Sequence, residues 1–259
     1  MIQPFGYMLA FLRAIIIIVL MLLWLFYYIV TKPFFGDNPQ RAFALRKNWL
    51  KYVGLPVLNI QVSHEGKPQS GSALYVCNHR SFSDPMVLCN YLDAYVIAKA
   101  EVANYPVINW GAKLTGVLYV KRNNKDSRNA VREMMVDTIK KGYNVLVYPE
   151  GTIGLSRQTL PFKVGSFLEA TRNNLTVVPV AIEYKSDSDL WRYENFIVQF
   201  ATQFSKWKSE VKLKFGPPMI SNDGEELKER VVTWVNDQLG EMQKNWSEIN
   251  FIDNAKTNS

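Results

Sequence analysis

The chain is poor in the side chains that most metal and redox sites use. It has only two cysteines, Cys77 and Cys89, and only two histidines, His64 and His79. The cysteines lie in apolar surroundings without C-x-x-C spacing, so they indicate neither a zinc site nor a redox pair, and they fit a reducing compartment. A histidine-rich metal centre is excluded, and any imidazole chemistry must come from one of the two histidines. We therefore expect no metal and no bound cofactor.

Other absences narrow the class of protein. The sequence lacks low-complexity segments, repeats at solenoid or propeller spacing and the G-x-S-x-G motif of serine hydrolases. Its 259 residues are 48% hydrophobic and 20% charged, which excludes a disordered chain and suits one domain with an appendage. The net charge is +7. No RNP-type aromatic motif or zinc-finger spacing accompanies that charge, so a membrane surface explains it without nucleic acid.

Charge is also missing from a long stretch near the N-terminus. Residues 14–31 hold no charged side chain, and such a run would form roughly 27 Å of helix, just short of the roughly 30 Å hydrocarbon core. The run exceeds the apolar region of a signal peptide, no A-x-A cleavage site follows it, and it is apolar all round, unlike an amphipathic core helix. Aromatic residues typical of a membrane interface gather toward its end: Trp24, Phe26, Tyr27 and Tyr28. We interpret it as a membrane anchor that either spans the bilayer or enters one leaflet.

A basic segment follows the apolar run. Residues 32–51 carry five lysines and arginines against Asp37 alone, and Ala42, Leu45 and Trp49 recur at helical spacing. This predicts either an amphipathic helix on a membrane surface or a domain helix with a solvated charged face. Basic residues after the apolar run favour the cytoplasmic side for the rest of the chain. We predict a membrane-anchoring unit over residues 1–54 and a second, folded unit over residues 55–259.

In the second unit, apolar β-rich runs alternate with helical patterns. Several runs are continuously hydrophobic, as expected of strands covered on both faces. The predicted strands are Ser72–Cys77, Ala94–Ala98, Gly116–Val120, Tyr143–Tyr148, Val177–Ile182, Phe196–Phe204 and Val211–Phe215, and the predicted helices are Ser127–Lys141 (capped by Ser127), Lys163–Asn173 and Asp223–Trp246. The fold class is therefore α/β, with a mixed, largely buried central sheet flanked by helices and preceded by the N-terminal membrane-anchoring helical segment.

His79 comes directly after a predicted buried strand. Asp84 lies five residues further on, and Pro85 suits the first position of a helix that Asp84 would cap. In a tight loop the Asp84 carboxylate could also meet one imidazole nitrogen and favour the imidazolium that forms when the other nitrogen accepts a proton. Because no serine nucleophile motif occurs, that proton would come from a substrate hydroxyl. The alternative is a structural pair that only caps the helix.

A second polar loop follows another hydrophobic strand. Pro149 and Gly151 flank Glu150 and shape a tight turn, which would point the carboxylate and backbone N–H groups outward. Lys163 lies near the start of a predicted helix, where its ammonium and the helix N-terminus would suit a phosphate. Taken alone, the loop is equally well explained as a strand-ending turn and Lys163 as a solvated lysine. We expect His64 to be a solvated loop histidine.

Taken together, four ordered segments resemble the motifs of the glycerolipid acyltransferases, and the 1-acylglycerol-3-phosphate acyltransferase type matches best. The segments are Asn78-His79-x4-Asp84, Gly116–Arg122, Tyr148–Thr152 and Val178–Ile182. The resemblance covers about residues 72–182. It implies an α/β domain docked on a membrane, in agreement with the fold class and the anchor.

The resemblance also implies a reaction. His79, held by Asp84, would deprotonate the free hydroxyl of a lysophospholipid, with lysophosphatidate as the first expectation and phosphatidate as its product. The alkoxide would attack the thioester of acyl-CoA or acyl-carrier protein without an acyl-enzyme. The resemblance assigns the acceptor head group to five residues, Arg122, Glu150, Gly151, Thr152 and, more weakly, Lys163. The partners are membrane lipids, the lysophospholipid acceptor and the thioester donor, with no nucleic acid, and the catalytic domain would face the cytoplasm.

One position departs from the family pattern. The family usually has an arginine after the E-G-T triplet, whereas this chain has Ile153 and then Gly154. A guanidinium that could bind a phosphate is lost, unless Arg157 replaces it. Alternative acceptors are therefore a lyso-aminolipid or glycerol 3-phosphate. A phospholipid transacylase and a non-catalytic lipid-binding protein are further alternatives, and the intact histidine–aspartate pair argues against the last.

Overall fold

One seven-stranded sheet organises the chain. The computed structural model describes residues 4–36, 38–100, 116–121 and 124–252, and within them the strand order is β1-β7-β6-β2-β5-β3-β4. Neighbouring strands are parallel except for β6 and β7, so the sheet is mixed, as predicted. The strands are β1 Ile60–Glu65, β2 Leu74–Cys77, β3 Ala94–Lys99, β4 Val117–Val120, β5 Asn144–Val147, β6 Val177–Tyr184 and β7 Ser209–Phe215.

Helices cover both faces of this sheet. On β2, Leu74 and Val76 face one apolar cluster, which includes side chains of α5, α6 and α8. Tyr75 and Cys77 face the other, which includes side chains of α4, so the strand is buried on both sides. The helices are α1 Pro4–Phe35, α2 Pro39–Trp49, α3 Leu55–Leu58, α4 Asp84–Cys89, α5 Lys125–Lys140, α6 Gly165–Arg172, α7 Phe196–Phe204 and α8 Gly224–Gln243.

Two predicted elements differ from the structure. Residues 196–204, predicted as a strand, form helix α7, whose first N–H groups bond to the Asn195 side chain. Helix α5 begins at Lys125 and is capped by Asn124, whose side chain accepts from the Ser127 N–H at 2.8 Å, so Ser127 is not the cap. Side-chain caps of this kind supply the acceptor that a first-turn N–H lacks.

Strand β1 was not predicted, because its polar sequence resembles a turn. Among the described residues it pairs only with β7, at the edge of the sheet. An edge is where a strand with exposed polar side chains is tolerated. His64 is part of this strand and its ring lies 4.3 Å from that of Tyr91. The predicted exposure of His64 is correct and its predicted loop conformation is wrong.

Helix α1 is long and apolar enough to associate with a membrane. It is continuous over 32 residues and is followed by Gly36, which has φ +73° and donates to the Lys32 carbonyl at 2.9 Å. One stripe is buried against the rest of the chain, from Gly6 and Ala10 to Leu25 and Tyr28, while large apolar side chains on the other faces are exposed. The buried Tyr28 is therefore not one of the outward-facing interface aromatics that the sequence suggested.

Helix α2 packs on the domain. Its N-terminus is capped by Asn38, and Pro39 occupies the first helical position. Phe43 is buried with its ring edge-on to Tyr95, at 5.2 Å between centroids. Arg46 donates to the Ala94 carbonyl at 2.8 Å. Of the two interpretations left open by the sequence, these contacts favour a domain helix.

Candidate active site

The loops that follow β2 and β5 carry the site. These strands are parallel neighbours, so their carboxyl ends meet at one edge of the sheet. The first loop is fixed at its start by Asn78, whose side-chain amide donates to the Ile182 carbonyl at 2.9 Å and accepts from the Ile182 N–H at 2.9 Å. This reciprocal pair ties the loop to β6 and sets the direction in which His79 leaves the sheet.

His79 and Asp84 form the predicted pair. Nδ1 of His79 lies 2.7 Å from Oδ2 of Asp84, whose side chain is fully buried. The same oxygen accepts from the backbone N–H groups of Arg80 and Ser81, at 2.7 and 3.0 Å. The other oxygen, Oδ1, accepts from the Tyr184 hydroxyl at 2.7 Å. Four donors therefore fix the carboxylate against the imidazole.

Asp84 does not cap the helix that it begins. Ser83 is the N-cap residue of α4 and makes no side-chain cap bond, whereas the Asp84 carboxylate turns back to the preceding loop. The capping role predicted from Pro85 is therefore wrong. The carboxylate orders the loop that carries His79, which is the role expected of a residue that orients a catalytic base.

The imidazole has one nitrogen directed to the protein and one left for a substrate. Its ring stacks on the buried Tyr148 ring, with centroids 4.3 Å apart and an interplanar angle of 22°. Nδ1 is taken by Asp84, and among the described residues no hydrogen-bond partner of Nε2 is observed. The His79 side chain is 15% exposed. Nε2 can therefore accept a proton from a bound hydroxyl.

Glu150 joins the two loops through hydrogen bonds. Its Oε1 accepts from the His79 N–H at 2.7 Å and its Oε2 from the Leu160 N–H at 2.9 Å. Burial raises the pKa of Glu150 to about 7, although these two backbone bonds and Arg80 oppose the shift. The sequence predicted a carboxylate that points outward, and that prediction is wrong, because both oxygens face backbone N–H groups inside the protein.

The other predicted residues of this loop lie together at the surface. Gly151 has φ +73°, where a Cβ would be strained, and its N–H donates to the Tyr148 carbonyl at 3.1 Å. Thr152 is exposed. The exposed Lys163 has its ammonium beside Gly151, and its N–H donates to the Pro149 carbonyl at 3.0 Å.

Arg122 lies outside the described residues. Strand β4, which precedes it in the chain, ends at Val120 and is the third strand from β2 in the sheet order. The role assigned to Arg122 therefore remains a prediction.

Sequence reasoning missed a buried ion pair behind the site. Arg80 is 1% exposed and lies 3.0 Å from Glu183, which is fully buried. The guanidinium also donates to the carbonyls of Gly154, Ser156 and Arg157, at 3.0, 2.5 and 3.1 Å. Burial raises the pKa of Glu183, and Arg80 opposes that shift. Arg80 thus fixes the segment that follows the E-G-T triplet. The sequence signal that could have indicated this ion pair is an acidic residue, Glu183, directly after the hydrophobic run of β6.

Among the described residues, no observed contact joins the Arg157 guanidinium to His79, Asp84 or the E-G-T triplet. Its side chain is exposed and its guanidinium lies over the Phe251 ring, 4.9 Å from the centroid. The Arg157 carbonyl, rather than its side chain, takes part in the bonds around Arg80. Ile153, at the position of the family arginine, is half-buried.

Comparison with known proteins identifies the family of the region that carries the site. A model of the acyltransferase family matches residues 59–183, which contain His79, Asp84 and Glu150. This part of the chain belongs to the acyltransferase family. A lyso-ornithine lipid O-acyltransferase of Rhodobacter capsulatus is 25% identical over 81% of this chain and 80% of its own length. A lyso-ornithine lipid O-acyltransferase of Pseudomonas aeruginosa is 30% identical over 55% of each chain.

Other relatives are named for a different acceptor. A chloroplastic 1-acyl-sn-glycerol-3-phosphate acyltransferase of Brassica napus is 31% identical over 56% of this chain, and the aligned part is 44% of the plant protein. The crystal structure of the 1-acyl-sn-glycerophosphate acyltransferase PlsC from Thermotoga maritima has a TM-score of 0.65 at 20% identity, covering 89% of this chain and 98% of that one. The fold is therefore the predicted one. The chain is an acyltransferase, and it is similar to enzymes named for lysophosphatidate and for lyso-ornithine lipid acceptors.

Proposed function

We propose that this acyltransferase moves an acyl chain from acyl-CoA or acyl-carrier protein to the free hydroxyl of a lysolipid. The observation that supports this most directly is the His79–Asp84 pair, in which Nδ1 is held at 2.7 Å from the carboxylate and the imidazole is 15% exposed. The hydroxyl proton passes to Nε2 as the oxygen bonds to the thioester carbonyl carbon. The C–S bond then breaks, and the leaving thiolate takes the proton back. General-base catalysis of this kind contributes about 10²–10⁴-fold.

For the acceptor we propose a lyso-aminolipid, such as a lyso-ornithine lipid. Two observations favour it: the apolar Ile153 stands where the family has an arginine, and the Arg157 guanidinium lies on Phe251. The relative that aligns over 81% of this chain is named for such an acceptor. Lysophosphatidate is the second candidate. It is favoured by the exposed Lys163 ammonium beside Gly151, by Arg122 in the motif and by the plant relative.

The position of the enzyme on the membrane is part of the proposal. The stripe of α1 that packs against the domain runs from Gly6 to Tyr28, which is roughly 33 Å of helix at 1.5 Å per residue. If a helix packed on the domain over that length crossed the bilayer, the part of the domain that it contacts would also have to enter the hydrocarbon core. We infer that α1 enters one leaflet, and the basic residues after it favour the cytoplasmic one.

A panel of acceptors tests the proposal, using the only two histidines of the chain as a matched pair. Membranes carrying wild type, His79→Ala or His64→Ala receive labelled acyl-CoA and, separately, a lyso-ornithine lipid, lysophosphatidate or glycerol 3-phosphate. We expect transfer to the lyso-aminolipid to be the fastest, to vanish in His79→Ala and to persist in His64→Ala, because His64 lies on the edge strand outside the site.

Other outcomes redirect or refute the proposal. Faster transfer to lysophosphatidate would reassign the acceptor and keep the chemistry. Transfer between phospholipids in the absence of any thioester would indicate a transacylase. The same panel with acylated carrier protein covers the second donor. Full activity of His79→Ala would overturn the mechanism. The assignment of Arg122 to the head group requires that Arg122→Ala raise the acceptor KM more than the donor KM.

A further inference from the structure

Helix α7 presents an apolar surface to the outside of the molecule. None of its nine residues is charged. Its Gln199, Gln203 and Phe204 are buried, whereas Ile197 is 76% and Val198 is 45% exposed. Trp207, three residues after the helix, is 72% exposed. An uncharged helix with an exposed isoleucine and an exposed tryptophan nearby in sequence is typical of an interaction surface.

The position of α7 beside α1 indicates what covers it. The two helices are in contact, and Arg13, the only charge in the first thirty residues, joins them. Its guanidinium donates to the carbonyls of Phe204, Lys206 and Trp207, at 2.9, 2.7 and 2.7 Å. The α7 surface therefore lies beside a helix that is itself suited to a membrane.

The same contacts suit a helix end that has no access to water. Carbonyls at a helix C-terminus have no partner within the helix, and in lipid they must be satisfied by protein. Arg13 does this for the Phe204 carbonyl at the end of α7 and for two carbonyls just after it. These bonds also solvate its guanidinium, which would be costly to place in an apolar layer without polar partners. At the other end, the Asn195 side chain accepts from the N–H groups of Ile197 and Val198, at 2.9 and 3.2 Å.

We propose that α7, with Ile197, Val198 and Trp207, is a second membrane-contact surface, which inserts into the lipid interface beside α1. Inserted amphipathic segments reach roughly 5–10 Å below the head groups. The rings of Phe196, Phe200 and Phe204 on α7 surround Phe82, three residues after His79, with centroids 5.1, 6.4 and 5.8 Å away. The surface thus places the His79 loop next to the lipid. This inference concerns lipid contact and does not depend on the proposed reaction.

Site-specific fluorescent probes test this surface. Both native cysteines are buried, so a thiol-reactive, polarity-sensitive dye can be attached at Ile197→Cys, at Val19→Cys on the exposed face of α1 and at Ala130→Cys on α5, across the sheet. The full-length labelled proteins are reconstituted into phosphatidylcholine–phosphatidylglycerol vesicles with or without a spin-labelled, quenching phosphatidylcholine. We expect the Ile197 probe to be blue-shifted and quenched as strongly as the Val19 probe, while the Ala130 probe stays unquenched.

Two results would overturn the proposal. In one, the Ile197 probe is quenched no more than the Ala130 probe while the Val19 probe is quenched. In the other, the Ile197 probe is blue-shifted without lipid quenching and Ile197→Cys forms disulfide-linked dimers, which would assign the surface to a second copy of the chain. Val198→Cys provides a second position, and a thermal melt of each labelled protein verifies its fold.

Discussion

Replacing Asp84 by asparagine should remove a charge from the site and almost nothing else. An asparagine oxygen at the position of Oδ2 can keep all three of its donors, the Nδ1 of His79 and two backbone N–H groups. The new NH2 group would then face the Tyr184 hydroxyl at the position of Oδ1. That hydroxyl can turn to accept, because its own proton can go to Ser83 Oγ, 3.0 Å away. The fold of the loop should therefore survive.

The loss of activity follows from the charge. In the transition state Asp84 faces an imidazolium, with Nδ1 2.7 Å from Oδ2. Taking the charge centres about 4 Å apart and an effective dielectric constant of about 20, the attraction is about 4 kcal/mol. At 1.36 kcal/mol for each factor of ten, Asp84→Asn should lower kcat roughly 10³-fold. The measurement is the initial rate of transfer from labelled acyl-CoA, together with the melting temperature of the variant.

A matched variant separates the charge from the hydrogen bonds around it. Tyr184→Phe removes the donor to Oδ1 and leaves the carboxylate paired with His79, so its loss of activity should be no more than about tenfold. If Asp84→Asn melts like the wild type and stays within tenfold of its rate, the carboxylate does not stabilise an imidazolium, and the general-base reasoning is refuted.

Three further substitutions, two of them with a matched control variant, address the residues around the pair. The pKa of Glu150 is about 7 in the folded protein against 4.5 for the free side chain, so the free energy of unfolding should fall by about 3 kcal/mol as the pH rises from 4.5 to 7. Glu150→Gln should remove this pH dependence, as measured by denaturation at several pH values. It should also lower kcat, because the glutamine NH2 must face a backbone N–H. Arg80→Met leaves Glu183 buried without its ion-pair partner and should lower the free energy of unfolding by about 3–5 kcal/mol, seen as a large drop in melting temperature. Its control, Arg172→Met, removes an exposed ion pair and should change the free energy of unfolding by less than about 1 kcal/mol. Ile153→Arg, compared with Ile153→Gln, should lower the KM for lysophosphatidate about tenfold, the effect of one charge-assisted hydrogen bond, and an unchanged KM would contradict the acceptor argument.

The sequence was sufficient for those parts of the fold in which local pattern and burial agree. Strands β2, β5 and β6 are short, hydrophobic on both faces and followed by polar loops, so their positions were predicted to within one or two residues. The pairing of His79 with Asp84 could also be predicted, because only four residues separate the two in a short loop between a strand and a helix.

Where tertiary contacts decide, the local pattern was misleading. Residues 196–204 are rich in phenylalanine and β-branched residues, which favour a strand. They form a helix because the phenylalanines pack on Phe82 and the helix end is held by Arg13 of α1. A window of nine residues contains neither partner. Glu150 is similar: its direction is set by the His79 N–H, which is 71 residues away in the chain.

The contacts that sequence reasoning missed share one target, the loop of residues 78–84. Ile182 binds the start of this loop, Tyr184 binds the aspartate at its end, Glu183 pairs with its arginine, and Glu150 accepts its histidine N–H. The E-G-T loop after β5 and the end of β6 therefore act on the catalytic base through backbone and buried contacts. These residues are far apart in sequence because β2, β5 and β6 are neighbours in the sheet and not in the chain. Their shared function is to hold one imidazole in place. A substitution at one of these four buried contacts should accordingly lower kcat through the position of the imidazole.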